Sequence, residues 1–276
     1  MTLPVSRPYA GPLQAVVLDW AGTAVDYGCL GPVDVFVRAF AQHDIPVTVA
    51  EARVPMGLKK IDHVRAVLAM PAVAERVADI KGHPPTEADV LAIYHDTEAM
   101  MVAAIVDHAE LIPGLLDAVA AFRAMGLKIG TSTGYTSSMM DVLVPLARRQ
   151  GYTPDLVVCS TDVPAGRPSP FMCYKNALLL EVYPLEAMVK IGDTPSDVQE
   201  GLHAGMWTIA LTRSGNELGL SKEDADALPP AELAARLADI EARFQAQGAH
   251  YVVQTIADCP AVLEDITRRL AAGERP

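Results

Sequence analysis

The chain has 276 residues and a formal net charge of −12, with 34 acidic side chains against 22 basic ones. That length is sufficient for a full hydrophobic core, and the acidic excess argues against broad contact with a nucleic-acid backbone. The four cysteines lie far apart, at Cys29, Cys159, Cys173 and Cys259. Their spacing argues against a zinc module or a disulfide framework and predicts a reducing cytoplasm.

The N-terminal sequence MTLPVSRPYAGPLQ (1–14) does not have the pattern of a signal peptide. No apolar run approaches the roughly 20 residues that a membrane-spanning helix needs. We therefore expect a soluble, cytoplasmic protein with no membrane or nucleic-acid partner.

Short apolar runs recur along the chain and are typical of buried parallel strands: AVVL (15–18), LKIG (127–130), DLVV (155–158), MVKIG (188–192) and WTIAL (207–211), with YVVQTI (251–256) as a further candidate. Amphipathic helical patterns lie between most of them. This alternation predicts an α/β fold with right-handed crossovers.

Polar residues follow four of these runs, at the strand ends where open α/β sheets bind ligands. They are Asp19, the segment TSTG (131–134), the segment STDVPAGRPSP (160–170) and the pair Asp193 and Thr194. One such residue alone is more often a helix cap than a catalyst. Four in series predict one shared site.

The span 28–105 interrupts the alternation because it is helical in pattern and contains no convincing strand. Capping-box patterns, TVAE (48–51) and more loosely TEAD (86–89), open two of its helices. We predict an α/β core domain, residues 1–27 and 106–276, with a helical cap domain, residues 28–105, inserted over the carboxyl edge of the sheet.

Four segments in this order, LDWAGT (18–23), TSTG (131–134), GRPSP (166–170) and IGDTPSD (191–197), resemble the motifs of the haloacid dehalogenase superfamily. The segment MGLKKIDHVRA (56–66) is similar to its phosphonatase branch. The resemblance implies a Rossmann-like core with a helical cap, a Mg²⁺ ion and an aspartyl-phosphate intermediate. It also implies a homodimer formed through the caps and hydrolysis of phosphonoacetaldehyde to acetaldehyde and phosphate.

By this resemblance Asp19 is the nucleophile, and the metal ligands are Asp19, the backbone carbonyl of Ala21 and Asp193. An all-oxygen set suits Mg²⁺. Asp197, with Thr194 beside the ligands, is expected to orient a metal-bound water or the loop. The alternative for Asp193 is a helix cap.

Thr133 and Gly134 match the motif whose hydroxyl and backbone amide bind a phosphoryl oxygen. Arg167 occupies the place where most superfamily members carry lysine, and its guanidinium can bridge phosphoryl oxygens and carboxylates. The alternative is a solvated loop charge. Three further residues match family positions near the substrate, with interface packing as the alternative for the first two: Met56, Cys29 and Tyr135.

Lys60 is implied by the resemblance to form a Schiff base with the substrate aldehyde. An ordinary lysine is only about 0.04% neutral at pH 7, and making it half neutral requires a pKa lower by roughly 3 units, which burial and nearby cations can supply. Lys59 remains the adjacent alternative. His63 lies on the same helical face as Lys60, where it shuttles protons, orients the amine or is merely structural.

Ala21 stands two positions after Asp19, where phosphate-ester members carry the acid that protonates a leaving alkoxide. Cleavage of a P–C bond instead leaves a carbanion, which an imine at Lys60 would accept as an enamine. Ala21 therefore weighs against a phosphatase or phosphomutase of the same superfamily. A catalytically silent phosphate-binding protein is the other alternative, and four intact residues weigh against it: Asp19, Thr133, Arg167 and Asp193.

Overall fold

The computed structural model describes residues 9–276, and its centre is a six-stranded parallel sheet in the order β3-β2-β1-β4-β5-β6. The strands are β1 Ala15–Leu18, β2 Lys128–Thr133, β3 Leu156–Cys159, β4 Met188–Gly192, β5 Trp207–Leu211 and β6 Tyr251–Val253. The predicted α/β fold with a parallel sheet is therefore confirmed.

Twelve α-helices accompany the sheet in the described part of the chain. They are α1 Leu30–Gln42, α2 Val49–Arg53, α3 Lys60–Leu68, α4 Pro71–Lys81, α5 Glu87–Ala104, α6 Leu115–Ala124, α7 Ser137–Arg149, α8 Phe171–Leu179, α9 Pro195–Ala204, α10 Lys222–Ala227, α11 Pro230–Ala246 and α12 Cys259–Ala271. Over residues 9–276, none of the helices combines the length and the apolar content that crossing a bilayer requires.

The most buried strands match their predicted bounds, because β1, β4 and β5 are apolar and covered on both faces. Strand β2 runs three residues past its predicted end, since Thr131 and Thr133 pair with Val157 and Cys159 of β3. Strand β3 lies one residue later than predicted. Strand β6 stops at Val253, short of the prediction.

The five helices α1 to α5 fill most of the predicted cap span, and the structure assigns no strand to residues 28–105. Both capping boxes are confirmed. Thr48 Oγ1 accepts a hydrogen bond from the backbone N–H of Glu51, and Thr86 Oγ1 accepts one from that of Asp89. Buried residues of these helices join the apolar cluster of the sheet. The division into two domains stays a prediction.

Candidate active site

Asp19 follows β1 directly and lies at the carboxyl edge of the sheet, between β2 and β4. Its backbone N–H donates to the carbonyl of Ile191 (2.9 Å), which continues the pairing with β4. Its Oδ1 accepts a hydrogen bond from Arg167 Nη2 at 2.7 Å. Burial raises the pKa of Asp19 even though Arg167 opposes the shift.

Arg167 is buried, so the alternative of a solvated loop charge is wrong. Its Nη1 lies 2.9 Å from Asp197 Oδ1, and its Nε donates to Glu200 Oε2 at 3.0 Å. Burial alone would lower the pKa of Arg167, but the surrounding carboxylates outweigh it and raise that pKa well above its ordinary value. The guanidinium is therefore a fixed cation at the site.

Thr194, rather than Asp193, is the N-cap of α9: its Oγ1 accepts from the Asp197 backbone N–H, and Asp197 Oδ2 accepts from the Thr194 backbone N–H. The helix-cap alternative for Asp193 is therefore wrong. Asp197 Oδ1 is also 2.5 Å from Lys190 Nζ. Burial would raise the pKa of Asp197, but Arg167 and Lys190 outweigh it and lower that pKa.

Asp193 is buried beside Asp19, and its Oδ2 accepts a hydrogen bond from the backbone N–H of Asn216 at 2.7 Å. The Cys29 thiol lies 3.5 Å from the same oxygen. Burial, followed by the charges of Asp19 and Asp197, raises the pKa of Asp193 well above its ordinary value. A carboxylate in this environment is poised to bind a cation.

The residues present fit a divalent metal ion. Asp19, Asp193 and Asp197 each offer a carboxylate oxygen within 4.8 Å of the others. The Asp197 carboxylate already contacts Lys190, Arg167 and Thr194. Asp19 and Asp193 are therefore the acids better placed to bind the metal ion directly. The surrounding buried cluster has four acidic side chains and two basic ones, so a bound cation would offset its excess of acids: Asp19, Asp193, Asp197 and Glu200 against Arg167 and Lys190.

A small cavity of about 20 Å³ lies between this acidic cluster and the helices of the predicted cap. Most of the sequence-predicted site residues form its wall: Asp19, Ala21, Cys29, Met56, Lys60, Thr133, Gly134, Tyr135, Arg167 and Thr194. Three predicted residues are buried but do not form part of that wall: His63, Asp193 and Asp197. The structure thus brings residues from the carboxyl edge and from the helical block around one space.

Lys60 begins α3 and is only 2% exposed, with Nζ 4.7 Å from the centre of the Tyr135 ring and 5.4 Å from that of Phe36. Burial lowers its pKa to about 8. The amine has no ion pair within residues 9–276. Lys59 is only partly buried and does not line the cavity. The geometry therefore favours Lys60 over Lys59 as the reacting amine.

His63 is fully buried and stacks on the Phe36 ring, with 3.6 Å between ring centres and 7° between planes. Neither ring nitrogen has a hydrogen-bond partner in the described part of the chain. Burial, and then the charge of Lys60, lowers the pKa of His63 well below its ordinary value. The imidazole is therefore neutral at physiological pH.

Imine formation at Lys60 should follow the fraction of neutral amine. With a pKa of about 8 instead of 10.5, that fraction is about 10% at pH 7 and rises about tenfold per unit below the pKa. We expect the initial rate of borohydride-trapped adduct to rise from pH 6 to 8 and then level off. A midpoint near pH 10 would contradict the effect of burial.

The segment 56–59 rests directly on the carboxyl edge of the sheet. Ser196 Oγ donates to the Met56 carbonyl at 3.2 Å. A Cβ on Gly134 would lie 2.4 Å from the Leu58 carbonyl oxygen, and one on Gly166 would lie 2.9 Å from Lys59 Cβ. Because glycine has no Cβ, segment 56–59 can approach the backbone of the sheet edge closely at these two positions.

Gly134→Ala should therefore push segment 56–59 away from the edge. We expect kcat/KM to fall about 100-fold, the scale that a misplacement of about 1 Å produces. The control is Gly205→Ala at the end of α9, where φ is 76° and a Cβ would meet nothing within 4 Å. That variant should lose stability and keep its kcat/KM. Equal activity of the two variants would show that the contact is dispensable.

Several residues around the site were missed by sequence reasoning, namely Lys190, Glu200, Asn216 and Phe36, while Ser132 was included only as part of the segment TSTG (131–134). Lys190 carried a usable signal, since a lysine inside the apolar run MVKIG (188–192) is rarely buried without a partner. Glu200 carried a weaker one, because it stands three residues after Asp197 on the same helical face.

The haloacid dehalogenase-like hydrolase family model matches residues 13–205. That match agrees with two features of the structure. An acid follows the first strand of the sheet, and an acidic cluster lies at the edge of the sheet. The chain belongs to this family of hydrolases, whose members generally use a divalent metal.

The curated relatives indicate a narrower group within this family. It is 57% identical to the phosphonoacetaldehyde hydrolase of Syntrophobacter fumaroxidans, over 98% of both chains. It is 55% identical to that of Nitratidesulfovibrio vulgaris, over 98% of this chain and 97% of the relative. A crystal structure of a phosphonoacetaldehyde hydrolase like protein from Oleispira antarctica superposes with a TM-score of 0.96 at 41% identity, covering 100% of both chains. Within the family the chain groups with the phosphonoacetaldehyde hydrolases and is an enzyme.

Proposed function

We propose that this enzyme hydrolyses the P–C bond of phosphonoacetaldehyde to acetaldehyde and phosphate. The observation that carries the proposal is the single cavity that Lys60 and Asp19 both line, with Ala21 where an acid would otherwise stand. A buried amine whose pKa is lowered to about 8 is suited to attack an aldehyde. The names of the relatives support the same substrate.

The reaction begins with attack of the neutral Lys60 amine on the aldehyde carbon, and loss of water with uptake of one proton gives a protonated imine. An Asp19 carboxylate oxygen then bonds to phosphorus as the P–C bond breaks, and the electron pair of that bond moves into the imine to give an enamine. Water next hydrolyses the aspartyl phosphate. The enamine takes up a proton and the resulting imine is hydrolysed, which restores both side chains.

The divalent ion is proposed to be Mg²⁺, held by Asp19, Asp193 and the backbone carbonyl of Ala21, with Asp197 and Thr194 supporting the loop behind them. When bound, it neutralises phosphonate oxygens and helps align the group. Within residues 9–276 Asp193 forms no ion pair and Asp19 forms one, with Arg167, whereas Asp197 and Glu200 each pair with two bases, which supports this choice.

The remaining wall residues are assigned to the substrate. Thr133 and the Gly134 amide bind a phosphonate oxygen, and Arg167 bridges the phosphonate and Asp19. His63, neutral and beside Phe36 and Lys60, is proposed to assist proton movement during imine formation or to orient the amine. Three other residues are proposed to contact the aldehyde portion: Met56, Cys29 and Tyr135.

Residues 28–105 are proposed to act as a cap domain that moves relative to the α/β core of residues 1–27 and 106–276. We also propose that two copies associate through their caps in the cytoplasm. Exposed apolar side chains on that span support the association: Val49, Val54, Ile80 and Leu91. Light scattering of the purified protein and of a Leu91→Glu variant tests the dimer.

The test of function is phosphate release from phosphonoacetaldehyde against a panel of sugar phosphates and other small phosphate esters. We expect turnover of the phosphonate alone, its loss with a chelator and its recovery with Mg²⁺. Turnover of a phosphate ester with no activity on the phosphonate would replace the proposal with the phosphatase or phosphomutase alternative.

A further inference from the structure

Glu200 lies behind the reacting side chains, on α9, and its side chain is fully buried. Its Oε2 accepts hydrogen bonds from Arg167 Nε at 3.0 Å and from Ser132 Oγ at 2.9 Å, and lies 3.6 Å from Lys190 Nζ. Its other oxygen, Oε1, has no hydrogen-bond partner within residues 9–276. The polar contacts of this carboxylate therefore converge on the oxygen that faces Arg167.

Arg167 is in turn held on three sides. Nη2 donates to Asp19 Oδ1 (2.7 Å) and to the Ser132 carbonyl (2.6 Å), while Nη1 lies 2.9 Å from Asp197 Oδ1. The guanidinium is planar and rigid, so fixing Nε at Glu200 fixes the direction in which Nη2 points. A lysine at position 167 would have a single charged atom and could not make all of these contacts.

We propose that Glu200 is a positioning residue for the phosphorus-transfer step. It fixes Arg167 Nε, with help from Ser132 and Lys190, so that Nη2 is directed at the nucleophile Asp19. The arrangement is a consequence of having arginine at position 167, because only arginine offers an Nε–H to the acid. This inference rests on the proposed function, since its kinetic readout is turnover of phosphonoacetaldehyde.

The first test is Glu200→Gln, which keeps the shape of the side chain and removes its charge. We expect kcat to fall about 10- to 100-fold, the range typical of residues that orient a reacting group, with KM changed less than about threefold. Glu241→Gln, on the exposed face of α11, is the matched control and should keep both constants. An unchanged kcat in folded Glu200→Gln protein would overturn the proposal.

A double-variant cycle separates positioning from a general structural role. In an Arg167→Lys background the Nε–H is absent, so adding Glu200→Gln should lower kcat by less than about threefold. Equal losses in both backgrounds would mean that Glu200 does not act through Arg167. Wild-type protein that is inactive on phosphonoacetaldehyde would instead refute the proposed function. The role of Glu200 would then be tested by the resonance of the Arg167 Nε–H group alone.

That readout is the Nε–H resonance of Arg167 in protein labelled with ¹⁵N-arginine, assigned by its loss in Arg167→Lys. We expect a resonance protected from solvent exchange in the wild type and in Glu241→Gln, and a shifted, less protected one in Glu200→Gln. An identical resonance in all three proteins would overturn the proposal. If Glu200→Gln does not fold, Ser132→Ala replaces it, because the serine hydroxyl contacts both Glu200 and Arg167; an unchanged kcat and resonance would then count against it.

Discussion

Lys60→Met should lower kcat for phosphonoacetaldehyde by about 10⁴-fold or more, the scale of loss when a covalent catalytic group is deleted. Methionine is close to lysine in length and fills the same buried space between Phe36 and Tyr135 without an amine. Without an imine, the carbanion released from the P–C bond has no electron sink. The measurement is phosphate release, together with mass spectrometry after borohydride treatment in the presence of substrate.

Lys59→Met is the matched control, because that side chain is only partly buried and lies outside the cavity wall. We expect it to keep the borohydride adduct and most of its activity. An adduct that stays in Lys60→Met and disappears in Lys59→Met would reassign the Schiff base to Lys59. An active wild type with no adduct on either lysine would remove the imine from the mechanism.

Asp19→Asn should abolish phosphate release while leaving imine formation in place. The amide keeps the shape of the side chain but is a far weaker nucleophile, so we expect a loss of about 10⁴-fold or more. The borohydride adduct on Lys60 should still form, because the Asp19 charge raises the pKa of Lys60 and its removal leaves more of the buried amine neutral. Asp141→Asn, on an exposed face of α7, is the control and should leave turnover unchanged.

Phosphate release and the borohydride adduct together distinguish the step that forms the imine from the step that forms the aspartyl phosphate. Phosphate release retained by Asp19→Asn would exclude an aspartyl phosphate. Loss of both phosphate release and the adduct would mean that Asp19 is needed before phosphorus is attacked, and the order of steps would have to be revised. A phosphorylated Asp19 peptide from acid-quenched wild type would support the order proposed here.

Local sequence patterns were sufficient for the bounds of three strands and for the acids at the edge of the sheet. Strands β1, β4 and β5 are apolar throughout and covered on both faces, so their sequence pattern is unambiguous. Asp19 and Asp193 follow two neighbouring strands, and parallel topology alone brings them together. The predicted β2 is too short because the last residues of the strand are polar. They adopt the strand conformation because they pair with β3.

Contacts between residues far apart in the sequence could not be predicted from local sequence patterns. The bond between Arg167 and Glu200 joins residues 33 positions apart, and that between Arg167 and Asp19 joins residues 148 apart. The stacking of His63 on Phe36 depends on how α1 and α3 cross, which no local pattern specifies. The lowered pKa of Lys60 likewise follows from burial by both parts of the molecule.

The glycines under segment 56–59 also bear on how long the reactive species survive. Gly134 and Gly166 bring that segment against the sheet edge, and in the proposed mechanism this contact restricts the access of bulk solvent to the space where the enamine and the aspartyl phosphate coexist. Both are prone to premature reaction with water, and a site with restricted access would admit only the water that its side chains place. In the cap motion proposed for residues 28–105, the aldehyde enters before the cap closes over the site, and acetaldehyde and phosphate leave after it has reopened.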